Sequence, residues 1–160
     1  MKTIIIDKPE NIDKKLFPQL IDPQLIDLVY SGGAIKRRIS IEKGLPKAKF
    51  IALLVDNNVI LSSATLKHPR TSYRDKVFTL AGVGDLKRDH LLELGYIVTH
   101  PNYQQKGLCR ELLTEFFKII ENEPMYATTE YPYMVRIFEE FNFKKFGDKY
   151  EDKELFICNY

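Results

Sequence analysis

Cysteine is scarce in this chain of 160 residues: only Cys109 and Cys158 occur, far apart and in no CxxC pair. That spacing offers neither a disulfide framework nor a zinc site. Charge of one sign is also lacking. Lys and Arg number 24 against 22 Asp and Glu, a net of +2, too small a bias to argue for nucleic acid. No apolar stretch approaches the ~20 residues that span a bilayer. The start, MKTIIIDKPE, has three isoleucines before charge returns, so it does not read as a signal peptide. Internal repeats, low-complexity tracts and Gly/Ser-rich linkers are absent. The expectation is one reduced, cytoplasmic domain over residues 1–160, with no membrane partner.

What is present is a core. The chain is 44% hydrophobic, with 10 Phe and 9 Tyr, and a domain of this size buries about 70% of its unfolded surface. Thr3 to Ile6 reads as a strand. Asp22-Pro23 reads as a helix opening, Leu25, Leu28 and Val29 as that helix's apolar face, and Gly32-Gly33 as its stop. Phe50–Val55 and Val59–Leu66 read as strands around an Asp56-Asn57-Asn58 hairpin turn. A loop from Lys67 to Arg74 leads into a short helix ending near Ala81-Gly82.

Leu91–Thr99 reads as a strand broken by Pro101-Asn102. Gly107–Ile120 reads as an amphipathic helix with Leu108, Leu112, Phe116 and Ile119 on one stripe. Met125–Thr129 is a strand, Pro132 opens a helix with Met134, Ile137, Phe138 and Phe141 inward, and Phe143–Phe146 and Glu154–Cys158 close the chain as strands. This order predicts an α/β fold with a central mixed sheet and helices on both faces.

The unit that carries chemistry is strand, tight polar loop and helix: GYIVTH-PNYQQKG-LCRELL. A glycine at a loop-to-helix joint lets the backbone approach a ligand. The first amides of the helix lack internal partners and lie at the positive end of its dipole, where phosphate is at home. Gln105 to Arg110 is thus a candidate phosphate cradle, with Lys106 and Arg110 adding charge. The same pattern also occurs at joints that bind nothing.

Gln104-Gln105-Lys106-Gly107-Leu108-Cys109, preceded by Pro101-Asn102-Tyr103, resembles the Q/R-x-x-G-x-G/A motif of the GNAT acetyltransferases. Cys109 stands where the family prefers Gly or Ala, and Thr99 where it prefers Val. Thr128 to Phe143 resembles a second family motif, but Tyr131, Met134, Phe138 and Asn142 replace its Asn, Ala, Tyr and Gly. The resemblance implies a GNAT-like fold and an acetyl-CoA co-substrate without a metal. It implies that backbone amides from Gln105 through Lys106, Gly107, Leu108 and Cys109 to Arg110 hold the pyrophosphate, with Gln104 also among the cofactor-binding residues, and that amides of Ile97 and Thr99 pair with the pantetheine arm.

Acyl transfer to an amine needs a polarised thioester carbonyl, a neutral amine and a proton for the departing thiolate. The N–H of Val98 or its neighbours is the candidate for the first need. Glu93 lies where several family members place a general base; a partly exposed, solvated strand glutamate is the alternative reading. The family's proton-donating tyrosine is replaced by Phe138, which leaves Tyr131 and Tyr133 as candidates, although tyrosines near apolar helix faces are more often core residues.

Cys109 as an acyl-enzyme nucleophile is rejected, and His90 and His100 show no metal spacing. Gly82-Val83-Gly84 reads as a turn rather than a dinucleotide fingerprint. The basic run Lys36 to Lys49 reads as a solvated surface. The function expected is transfer of acetyl from acetyl-CoA to a small-molecule or peptide amine by direct attack, with a homodimer left open. The alternatives are a non-catalytic acyl-CoA-binding module and a nucleic-acid-binding accessory domain.

Overall fold

A computed structural model describes residues 1–7 and 20–159, and the side chains of 20–22 lie outside that description. The chain order is β1 (Lys2–Asp7), α1 (Ile26–Ser31), α2 (Arg38–Gly44), β2 (Ala48–Asp56), β3 (Val59–Lys67), α3 (Thr71–Leu80), β4 (Leu92–Thr99), α4 (Leu108–Ile120), β5 (Met125–Thr129), α5 (Pro132–Glu140), β6 (Lys144–Tyr150) and β7 (Lys153–Cys158). The strands form one seven-stranded sheet in the order β1-β2-β3-β4-β5-β7-β6. It is mixed: β4 and β5 run parallel, while β1–β2, β2–β3, β5–β7 and β6–β7 run antiparallel. The α/β expectation holds.

Contacts divide the chain into two compact units, residues 1–67 with 95–119 and residues 68–94 with 120–160. In the first, Asn57 and Asn58 turn the β2–β3 hairpin with φ of 47° and 63°, the left-handed pair that a two-residue turn matched to strand twist requires. Its core gathers Leu25, Val29 and Ile41 from the helices with Ile51, Leu53 and Val55 from β2, and Tyr96 and Val98 of β4 pack against them. Ahead of α1, Leu20–Leu25 forms a wide π-type turn that contains Pro23. The capping role expected of Asp22 falls on a side chain outside the described ones.

In the second unit, Val77, Phe78 and Ala81 of α3 pack on Leu91, Tyr126, Leu155 and Ile157. Arg74 is buried; it ion-pairs with Asp75 and Asp89, each at 2.9 Å, and donates to the Arg88 carbonyl at 3.2 Å. Those bonds tie α3 to the segment that feeds β4. Helix α5 ends in a Schellman pair, Phe143 N–H to Phe138 O at 3.0 Å and Asn142 N–H to Glu139 O at 3.1 Å, with Asn142 at φ 62°. Asparagine tolerates that left-handed position, which explains how it replaces the glycine of the motif that the sequence resembles.

Four expectations change, the first being the loop read from Lys67 to Arg74, inside which α3 begins at Thr71. Ile119 of α4 is 54% exposed, and the buried stripe runs Leu112, Leu113, Phe116, Ile120 instead. Phe141 follows the end of α5 as its cap. The basic run contains a helix, α2, which its sequence concealed: of its two isoleucines only Ile41 is buried, while Ile39 is half exposed.

Candidate functional site

Strand β4 and the loop after it supply backbone groups in a defined order. Its register with β5 takes in Leu92 and Glu93, two of its eight residues. Further along, the Tyr96 carbonyl accepts from Ser63 Oγ at 3.0 Å and the Val98 carbonyl accepts from Ser62 Oγ at 3.0 Å. The His100 N–H donates to the Leu61 carbonyl at 2.8 Å. Residues 96, 98 and 100 therefore turn their backbone toward β3. Strand alternation sends Ile97 and Thr99 to the opposite edge.

Val98 turns its carbonyl toward β3, while its N–H and those of its neighbours Ile97 and Thr99 stay the candidates for an incoming carbonyl. The Thr99 hydroxyl shares a hydrogen bond with Ser62 Oγ at 3.1 Å, a use for the residue that stands in place of valine. Tyr96, in mid-strand, has φ 51°. A left-handed residue within a strand marks a bulge that re-aims the residues beyond it.

Past β4 the chain makes a short turn over Pro101–Tyr103. His100 caps it: Nδ1 accepts from Asn102 N–H at 3.3 Å. That places the proton of the neutral ring on Nε2 and gives His100 a structural task, apart from Cys109. Gln104 Nε2 donates to the Thr99 carbonyl at 3.3 Å, so the first residue of the motif braces the end of β4. The Lys106 ammonium lies 4.9 Å above the Tyr103 ring.

Gln105 and Gly107 both have positive φ, 61° and 79°. The α4 ladder begins with Glu111 N–H to Gly107 O at 3.0 Å, so the amides of Leu108 and Cys109 come before it, at the end where anions are stabilised. A Cβ placed on Gly107 would meet nothing within 4 Å. The space over the loop is open, as a phosphate cradle requires.

Cys109 is half-buried. Burial pushes its thiol up to about 11, against the opposing pull of Arg110. At neutral pH it holds its proton, in agreement with its rejection as a nucleophile.

The catalytic candidates lie in the second unit. Glu93 is half-buried on β4, in register with Tyr126 of β5. Tyr126 is fully buried, edge-on to Phe78 at 5.4 Å, and its hydroxyl has no hydrogen-bond partner among the described residues. Burial, reinforced by the Glu93 charge, pushes that phenol far up. Tyr131 precedes α5, half-buried, with its N–H bonded to Thr129 Oγ1 at 3.0 Å. Burial, with help from Glu130, raises its phenol too. Tyr133 is 61% exposed and stacks on Tyr131 with ring centroids 5.6 Å apart. Phe138 is 2% exposed, packed on Phe143 and Phe156 at 5.2 and 5.5 Å.

Sequence reasoning missed Ser62, Ser63 and Tyr96. The adjacent serines inside the apolar run VILSSATL were the available signal. A bulge leaves no such mark.

No family model matches the sequence, and no curated protein matches it. Solved structures do match, over nearly the whole chain. An acyl-CoA N-acyltransferase from Pseudomonas aeruginosa aligns with a TM-score of 0.67 at 11% identity, covering 98% of each chain. The ribosomal-protein-S18-alanine N-acetyltransferase from Escherichia coli aligns at 0.62 and 12%, covering 98% of this chain and 93% of that one. The aminoglycoside 6'-acetyltransferase type Ii aligns at 0.61 and 15%, covering 98% and 95%. At these identities the likeness is one of fold. The chain has the GNAT acetyltransferase fold, as the Gln104–Cys109 resemblance implied.

Proposed function

We propose that this chain is an acetyl-CoA-dependent N-acetyltransferase acting by direct attack, as one domain over residues 1–160, in the cytoplasm. The observation that carries the reading is the continuous backbone surface from Ile97 to Arg110. It combines the end of β4, a loop with Gln105 and Gly107 in left-handed conformations, and the start of α4, within a GNAT fold.

Amides of Gln105 through Arg110 hold the pyrophosphate, with Lys106 and Arg110 contributing charge and Gln104 bracing Thr99. Backbone groups of Ile97 and Thr99 receive the pantetheine arm and polarise the thioester carbonyl. Glu93 takes a proton from the acceptor's ammonium, directly or through water. The neutral amine attacks the thioester carbon, the carbon–sulfur bond breaks, and the thiolate leaves. Tyr131 or Tyr133 gives a proton to it and recovers one from the attacking nitrogen, which sheds its second proton as the amide forms. The acceptor is an amine of a small molecule, as the name of the aminoglycoside enzyme indicates for that protein, or of a protein, as the S18-alanine enzyme's name indicates for its own.

One observation favours a second reading, a non-catalytic acyl-CoA-binding module: Phe138, where the family has tyrosine, is sealed in an aromatic cluster. Nucleic-acid binding through the basic run loses ground, since Arg38 is engaged by Asp27 and Glu42. Free-thiol release from acetyl-CoA across a panel of polyamines, aminoglycosides and peptides tests the enzyme reading. Release with one or more amines supports it. Tight binding without release assigns the module.

A further inference from the structure

Two glycines outside the cradle stand at the ends of α1 and α2, and each faces a side chain of β4. A Cβ on Gly32 would lie 2.8 Å from Val98 Cγ2. A Cβ on Gly44 would overlap the Tyr96 hydroxyl and lie 3.2 Å from Tyr96 Cζ. Contacts below 3.0 Å force a shift, and here the neighbours are a β-branched stub and a bonded ring. Both glycines are therefore sockets, required by what β4 presses into them.

The Tyr96 socket is the more elaborate. Its hydroxyl donates to the Ser40 carbonyl of α2 at 3.2 Å, and the Lys67 ammonium sits 4.3 Å over its ring. Its carbonyl is held by Ser63, and its backbone is the left-handed step of β4. The residue that kinks the strand is thus gripped by side chain and backbone at once. The direction of that kink sets how Ile97 and Thr99 present their backbone groups on the far edge.

We propose that Tyr96 is the positioning residue that aims the edge of β4 away from β3, its ring latched against Gly44 of α2. The proposal rests on the acetyl-CoA reading, and it concerns residues outside the Gln104–Arg110 loop. A strand edge that pairs with a ligand by hydrogen bonds is sensitive to displacements of about 1 Å, so disturbing the latch weakens binding without altering any contacting residue.

The test is a four-protein cycle of wild type, Tyr96→Phe, Gly44→Ala and the double variant. Two quantities are read in each: acetyl-CoA affinity by calorimetry, and hydrogen exchange of amides 38–44 without ligand. Gly44→Ala is expected to weaken affinity about tenfold and to speed exchange in α2. Tyr96→Phe alone stays within about threefold, because the ring and its packing remain. The double variant is expected to regain most of the loss, since removing the hydroxyl leaves Cζ, at 3.2 Å, as the nearest atom to the new methyl group. Wild-type affinity in Gly44→Ala, or a double variant no better than Gly44→Ala, overturns the proposal. If wild type binds no acetyl-CoA, the functional reading fails separately, and exchange at 38–44 still decides the latch. Faster exchange in Gly44→Ala with recovery in the double supports it, and unchanged exchange refutes it.

Discussion

The two compact units differ in what their candidate sites are made of. The unit with residues 95–119 offers backbone: strand-edge groups at Ile97 and Thr99, a loop in left-handed conformations, and the first amides of α4. The unit with residues 68–94 and 120–160 offers side chains: Glu93, Tyr131 and Tyr133. Charge divides along the same line. The first unit has 14 Lys and Arg against 9 Asp and Glu, net +5; the second has 10 against 13, net −3. A net positive unit suits the anionic pyrophosphate and speeds its encounter.

A backbone site is indifferent to most substitutions, because every residue but proline supplies the same N–H. Cys109 for Gly or Ala and Thr99 for Val leave such a site intact. A side-chain site has no such tolerance: Phe138 has no proton to give where the family pattern has tyrosine. The resemblance to the GNAT pattern is accordingly close at Gln104–Cys109 and loose from Thr128 to Phe143.

This contrast breaks most sharply at Gly107. Gly107→Val puts a branched side chain into the open space over the loop and forces φ of 79° on a residue that avoids it. Acetyl-CoA affinity is expected to fall at least 100-fold by calorimetry, the loss of several charge-assisted hydrogen bonds, and near-normal affinity would discredit the cradle.

Glu93→Gln comes next. Turnover is expected to fall about 100-fold, chiefly below neutral pH, where neutral amine is scarce, while acetyl-CoA affinity holds. A pH–rate profile unchanged from wild type would remove Glu93 from the mechanism.

Phe138→Tyr sharpens the side-chain half. The new hydroxyl enters a cluster bounded by Phe143 and Phe156, so unfolding free energy in urea is expected to drop by about 1–3 kcal/mol, with no gain in turnover. A gain in turnover would show that the missing acid belongs at that position.

The smallest effect belongs to Cys109→Ala. The thiol, pushed up to about 11, is protonated and inert at neutral pH, so turnover and affinity should stay within about threefold of wild type. Loss of turnover with intact affinity would revive the nucleophile reading.

Much of the fold was legible because period and punctuation agreed. Asn57-Asn58 announced a hairpin, Pro132 a helix start, and alternation the strands. Helix α2 was hidden because its single buried residue, Ile41, makes no stripe among Arg38, Glu42 and Lys43. The candidate cradle came from the Gln104–Cys109 resemblance, since a glycine at a strand–loop–helix joint also occurs where nothing binds. The aim of β4 was not legible, since the left-handed backbone of Tyr96 leaves the residue pattern of a strand untouched. Nor was the setting of Glu93: Tyr126 reads as a core aromatic, and only the fold puts its unpartnered hydroxyl in register beside that carboxylate.

Calorimetric titration of the wild-type chain with acetyl-CoA tests the central claim most directly. One site per chain with a dissociation constant at or below tens of micromolar is expected, an affinity of about 6 to 7 kcal/mol. No measurable binding in that range would contradict both the enzyme and the module, and would leave a GNAT fold put to some other use.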